Sequence, residues 1–292
     1  MSLTNALGVA VVVELSLSHY DDPARFLAAA RQFLEVNEAE NNLILGISSW
    51  FATYPERILR TPYFAVVEEN GRVVGAAMMT PPFRLVLTRG DVGVLERIAD
   101  DLLGRDIVLP GVNGPKEASR AFAELWVKKK GCVHELHRHL RIYQLASVTP
   151  PRPVDGRMRL SLSAETEVLA GYAANFNAEI GEPQTVQQAR ATVEQLTKDK
   201  RLYVWDDGGV RSVTAVGGPT SHGIRISLVY TPPEFRGKGY ASALIAALSQ
   251  AMLDSGKKFC CLFADLSNPV SNRTYQRLGF VPVCDFTEYE FK

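Results

Sequence analysis

The sequence predicts an α+β (mixed α/β) chain of two similarly built halves, each a largely antiparallel twisted sheet flanked by helices. Three observations carry this expectation. Short β-branched and aromatic runs are set off by glycine turns. Amphipathic stretches of helical period follow them. A proline-rich break lies near the middle of the 292 residues, with the same order of elements on both sides. A chain of this length can fill two cores of ordinary size.

The break is Ser147-Val148-Thr149-Pro150-Pro151-Arg152-Pro153, where proline removes ladder donors and disfavours helix. It divides the expected organisation into residues 1–146, a linker at 147–156, and residues 157–292. Charges balance to zero and 46 % of residues are apolar, the composition of a soluble globular chain with no basic bias toward nucleic acid. Met1 to Ala10 carries no Lys or Arg ahead of the apolar run Val9 to Val13, so no secretory signal is expected. That run is too short to span a bilayer. The four cysteines, Cys132, Cys260, Cys261 and Cys284, show no CxxC spacing and are expected as reduced thiols of a cytoplasmic protein.

In the second half, Arg201 to Trp205, Ser212 to Gly217 and Ile224 to Tyr230 read as a three-stranded meander around the turn Asp206-Asp207-Gly208-Gly209. A helix follows from about Gly239 to Ser255, with Leu244, Ile245, Leu248 and Met252 on one face and Gly256 as its stop. Phe259 to Ala264 suits a buried strand. Asn268-Pro269 is a cap followed by a proline, which opens a second helix ending near Gly279. Phe280 to Phe291 reads as two short strand pieces. The first half repeats the order with strands Tyr63 to Glu68, Val73 to Met79 and Arg84 to Thr88, then helix Asp91 to Leu103. Strand Ile107 to Pro110, helix Lys116 to Lys130 and strand Leu136 to Leu145 complete it.

The segment with the clearest chemistry is Arg236-Gly237-Lys238-Gly239-Tyr240-Ala241, between a strand and a helix. A helix start presents free amides and the positive end of its dipole. Glycine and alanine leave that backbone approachable, and Arg236 and Lys238 add charge suited to phosphates. A dinucleotide fingerprint is excluded, because Ser242 stands where its third glycine belongs and an antiparallel meander precedes the turn. A nucleotide P-loop is excluded too, because Gly237-Lys238 is followed by Gly239.

The segment resembles the R/Q-x-x-G-x-G/A signature of the GNAT superfamily of N-acetyltransferases, matched at Arg236, Gly239 and Ala241. Asn268-Pro-Val-Ser-Asn272-Arg-Thr-Tyr275-Gln-Arg-Leu-Gly279-Phe280 resembles the downstream N-x-x-S-N-x-x-Y-x-x-x-G-F motif of that family. The resemblance covers roughly Leu160 to Lys292 and reaches the first half through element order alone. It implies acetyl-CoA as cosubstrate, with the coenzyme pyrophosphate at residues 236 to 241 and no metal. Asn268, Asn272 and Tyr275, at i, i+4 and i+7, share one helix face. The resemblance gives Tyr275 the role of acid for the leaving thiolate, and the two asparagines are candidates for contacts to the pantetheine arm or to the splayed strand ends. Peptide-like pantetheine can bind an open strand edge by backbone hydrogen bonds, for which Val229, Tyr230 and Thr231 are the candidates. Their amides could also polarise the thioester carbonyl. Pro232 and Pro233 release the strand from its ladder.

No general base is assigned. Arg225 and Ser227 occupy the strand positions in question and neither is a carboxylate, while Glu179, Glu182 and Glu234 read as surface acids. With no obvious nucleophile, direct transfer in a ternary complex to a small-molecule or peptide amine is expected. His134, His137 and His139 suggest a metal cluster, but His137 and His139 read more readily as part of a polar strand face with Glu135 and Arg141, and Cys260-Cys261 as core. In the first half the counterpart of the phosphate turn is Arg89-Gly90-Asp91-Val92-Gly93-Val94, where Asp91 and Val92 replace Lys238 and Gly239. Both changes oppose phosphate binding, so this half is expected to be a degenerate, non-catalytic copy. Two rival readings are a non-catalytic acyl-CoA sensor and an aminoacyl-tRNA-dependent transferase. Tyr275 argues against the first, and the balanced charge against the second. Nothing in the sequence sets the oligomeric state.

Overall fold

The computed structural model describes residues 14–292, so the run Val9 to Val13 lies outside the described residues. The chain forms two compact units, one of residues up to Arg141 together with Cys284–Lys292, the other of Ile142–Val283. The expected division at residues 147–156 differs from this, because the last strand of each half contributes to the core of the other unit.

Along the chain the first set of elements is β1 (Leu15–Tyr20), α1 (Pro23–Val36), α2 (Asn42–Thr53), β2 (Tyr63–Glu69), β3 (Arg72–Met79), β4 (Leu85–Leu87), α3 (Val92–Gly104), β5 (Gly111–Pro115), α4 (Lys116–Lys130) and β6 (His134–Leu145). The second set is β7 (Arg157–Leu160), α5 (Thr166–Glu179), α6 (Val186–Lys198), β8 (Leu202–Asp206), β9 (Val210–Gly217), β10 (Gly223–Tyr230), α7 (Tyr240–Asp254), β11 (Phe259–Asp265), α8 (Pro269–Arg277) and β12 (Val281–Phe291). The ten elements recur in identical order, the pattern of a duplicated architecture. Mixed α/β class and mostly antiparallel pairing agree with the sequence expectation.

In the first unit the sheet order is β1-β2-β3-β4-β5-β12. Alternation along β2 sends Tyr63, Ala65 and Val67 to a core with Ile98, Phe122 and Trp126 of α3 and α4. It sends Phe64 and Val66 to a core with Phe26, Leu34 and Ile44 of α1 and α2. In the second unit the order is β6-β11-β10-β9-β8-β7, again with helices on both faces.

The end of the chain corrects the reading of Phe280 to Phe291 as two short pieces. It is one strand, and from Phe286 to Glu290 it pairs antiparallel with β5, Tyr289 facing Val112. Tyr289 joins the core of Phe122 and Trp126. Conversely, Tyr143 and Leu145 at the end of β6 join the core of Leu262, Tyr275 and Phe280. Burial of these side chains, each contributing about 1.5–3 kcal/mol, gives each strand end its place. The strand expected at Ile107 to Pro110 lies instead at Gly111–Pro115. All four cysteines are free thiols. Among the described residues no helix is long and apolar enough to cross a membrane.

Candidate active site

β10 supplies the first part of the site. It runs antiparallel to β9 as far as Tyr230↔Val213, but parallel to β11 only over Gly223↔Phe259, Ile224↔Cys260 and Arg225↔Cys261. Past Arg225 its β11 side leaves the ladder, and an opening forms at the carboxyl end of the strand. The register on β9 shifts between Ser227 and Tyr230, so Leu228 and Val229 have no register partner there. Leu228 sits at φ 53, a left-handed conformation uncommon for a branched residue. A bulge of this kind re-aims peptide groups that a regular ladder would consume. Val229 and Thr231 are partly exposed at this end, and Tyr230 is buried against α5 and β8.

The chain leaves β10 through Pro232 and Pro233 into the glycine turn. Gly237 at φ +76 and Gly239 at φ +90 both occupy the left-handed region that favours glycine. Nothing lies within 4 Å of the place where a Cβ on Gly237 would stand, so the backbone there is open to a ligand. Gly239 caps α7 with no side-chain hydrogen bond, leaving the first amides of a fifteen-residue helix without a side-chain acceptor. A Cβ on Gly239 would stand 2.9 Å from Val154 Cγ1, so this glycine is also required by packing.

The side chains around the turn are ordered by the protein itself. Arg236 donates from Nε to the Thr231 carbonyl at 2.8 Å and from Nη2 to Glu179 Oε1 at 2.6 Å, and its guanidinium lies 5.6 Å from the Tyr230 ring centroid. Lys238 and Arg211 stand 5.8 and 4.6 Å from the Phe235 ring centroid. Tyr240 donates to Asp207 Oδ2 at 2.6 Å, and that bond holds its phenol above the ordinary tyrosine range. Ala241 lies in the partly exposed first turn of α7.

α8 supplies the third part. Asn268 is its N-cap and accepts from the Ser271 amide at 3.0 Å. Asn272 donates to the Asp265 and Asn268 carbonyls, both at 2.7 Å, and accepts from the Tyr143 hydroxyl at 2.9 Å. The Asn272 amide thus fixes α8 to the end of β11 and to β6, while the Asn268 side chain caps the helix itself. Tyr275 is 7 % exposed between the rings of Tyr143 and Phe280, whose centroids lie 6.4 and 5.9 Å away. Its hydroxyl has no protein hydrogen-bond partner among the described residues. Burial pushes its pKa up to about 12, so the phenol is a neutral proton donor at physiological pH.

The contacts of four residues are not apparent in the sequence. Tyr143 lies in a strand recognised as such, but its bond to Asn272 joins residues far apart in sequence. Ser212 and Thr214 of β9 are fully buried hydroxyls bonded to the β10 backbone. The surface acid Glu179 is the ion-pair partner of Arg236.

The first unit treats the corresponding helix start differently. Asp91 caps α3, accepting from the Val94 amide at 2.9 Å. Arg89 is held by Glu40 through bonds of 2.7, 2.8 and 3.0 Å. A Cβ on Gly90 would stand 2.8 Å from Val94 Cγ1, so the backbone there is already covered.

Residues 168–280 match the Acetyltransferase (GNAT) family, and the second half of the chain thus carries a GNAT-family domain. Solved structures share the fold over nearly the full length of both chains. A GCN5-related N-acetyltransferase from Sphaerobacter thermophilus is 17 % identical over 94 % of this chain and 95 % of its own, with a TM-score of 0.61. A GNAT-family acetyltransferase from Colwellia psychrerythraea is 13 % identical over 95 % and 100 %, with a TM-score of 0.57. A tandem GNAT protein from the clavulanic acid biosynthesis pathway is 14 % identical over 94 % and 98 %, with a TM-score of 0.60. At these identities the likeness is one of fold. No curated protein matches the chain.

Proposed function

We propose that the second unit is an acetyl-CoA-dependent N-acetyltransferase and that the first is a non-catalytic copy. The observation that carries this reading is the uncapped start of α7 directly following the strand whose β11 side is open. A pyrophosphate at the helix start meets free amides, the helix dipole, Lys238 and the open backbone over Gly237. The pantetheine arm then lies along the edge of Val229, Tyr230 and Thr231, where its amides complete the unpaired ladder. Asn272, with both polar atoms of its amide committed, serves by holding α8 in place, and Asn268 serves by capping that helix.

A neutral primary amine attacks the carbonyl carbon, forming the C–N bond while the peptide groups of the bulge stabilise the developing oxyanion. The C–S bond breaks, the thiolate takes the Tyr275 proton, and the amine releases its own proton to solvent, from which the phenolate is reprotonated. The acceptor is a small-molecule or peptide amine, and free thiols suit a cytoplasmic setting.

Thiol release from acetyl-CoA with a panel of amines tests the reading. Amine-dependent release by the wild type and its loss in Tyr275→Phe are expected. Tight coenzyme binding without turnover on any amine would favour a sensor, and absence of binding would overturn the proposal altogether.

A further inference from the structure

Two buried hydroxyls on β9 meet the β10 bulge at its two ends. Thr214 Oγ1 donates to the Ser227 carbonyl at 3.0 Å, and Ser212 Oγ donates to the Tyr230 carbonyl at 3.0 Å. Both residues are fully buried. They are two apart on the strand and so lie on the same face. Between the two clamped carbonyls stand Leu228 and Val229, the residues without a register partner on β9.

The Ser212 contact extends further. Thr231 Oγ1 donates to Ser212 Oγ at 2.9 Å, and the Thr231 carbonyl accepts from Arg236 Nε at 2.8 Å. Hydrogen bonds and one residue of backbone therefore connect the glycine turn, Thr231, Ser212 and the end of the bulge. A regular β9–β10 ladder would have fixed these peptide planes through backbone amides. The bulge removes those bonds, and a non-glycine residue at φ 53 has to be held by its surroundings.

We infer that Ser212 and Thr214 are positioning residues for acyl transfer: their hydroxyls clamp the carbonyls flanking Leu228 and Val229 and thereby aim the intervening peptide groups at the thioester carbonyl. The inference rests on the acetyl-CoA reading above and adds residues that touch neither coenzyme nor acceptor. Apolar side chains at 212 and 214 would fill the same space and leave the peptide planes free to rotate, so binding along the edge would survive while polarisation of the carbonyl would not.

The test is the infrared carbonyl band of acetyl-CoA carrying a ¹³C-labelled thioester carbonyl, recorded free and bound to wild type, Thr214→Val, Ser212→Ala and Thr214→Ser. Coenzyme affinity is measured for each by calorimetry. The wild type is expected to shift the band to lower frequency. Thr214→Val and Ser212→Ala are expected to lose at least about half of that shift at an affinity within about twofold of wild type, and Thr214→Ser to restore it. With the amine of the panel that turns over fastest, kcat is expected to fall about tenfold in Thr214→Val with KM for acetyl-CoA unchanged. A full shift retained in both Thr214→Val and Ser212→Ala would overturn the inference while leaving the coenzyme site standing. Failure of the wild type to bind acetyl-CoA would instead overturn the reading on which it rests.

Discussion

The helix starts of α3 and α7 occupy equivalent places in a repeated order of elements, yet they spend their amides differently. At α3 the Asp91 carboxylate takes the Val94 amide, and Arg89 is locked to Glu40, whose side chain is 7 % exposed. At α7 the cap is Gly239, which offers no side chain, and Arg236 pairs with Glu179, whose side chain is 50 % exposed. A buried carboxylate that loses its partner has no water to replace it, so the Arg89–Glu40 pair resists exchange. A solvated pair is worth at most about 1 kcal/mol and yields readily to a phosphate. Helix position alone does not make an anion site. What matters is whether the protein has already supplied the anion.

The change expected to break this comparison most strongly is Gly237→Asp. Aspartate tolerates φ +76 better than most residues and its Cβ meets no atom within 4 Å, so the fold is expected to be retained while a carboxylate is placed against the proposed pyrophosphate site. Calorimetry is expected to show acetyl-CoA binding weakened about a hundredfold, with Gly237→Asn much less affected. Next is Tyr275→Phe, expected to lower kcat about a hundredfold while KM for acetyl-CoA stays near wild type. Because burial raises the Tyr275 pKa to about 12, the phenol keeps its proton through the working range. The wild-type kcat profile is therefore expected to show no alkaline decline from this group below about pH 11.

In the first unit, Asp91→Ala is expected to cost about 1 kcal/mol in urea unfolding, the usual effect of losing a cap. It is not expected to create a second coenzyme site, since Val94 still covers Gly90 and Glu40 still holds Arg89. The smallest effect belongs to Glu179→Gln. Freed of its competitor, Arg236 is expected to bind the coenzyme about threefold more tightly at low salt, a gain that fades as ionic strength rises.

Much of the site was legible in the sequence because it depends on local chemistry. Glycines at 237 and 239 and the Asn268-Pro269 cap act over a few residues, and their positions follow from backbone geometry. The opposing character of Asp91 was legible for the same reason, although its side-chain bond to Val94 was not. Non-local pairing was not legible. β5, with the sequence Gly-Val-Asn-Gly-Pro, has poor strand propensity and owes its conformation to β12 on one side and β4 on the other. The exchange of β6 and β12 ends depends on which core takes Tyr143 and which takes Tyr289, and apolar alternation is the same for either destination. Arg236 read as a phosphate ligand, and only the fold brings Glu179 beside it.

The two helix starts lead to the expectation of one coenzyme site per chain, at α7. Titration of acetyl-CoA into the intact chain, followed calorimetrically for wild type and Gly237→Asp, tests it most directly. One equivalent bound by the wild type, and the loss of that binding in the variant, are expected. Two equivalents in the wild type, or one equivalent that survives Gly237→Asp with unchanged affinity, would contradict it.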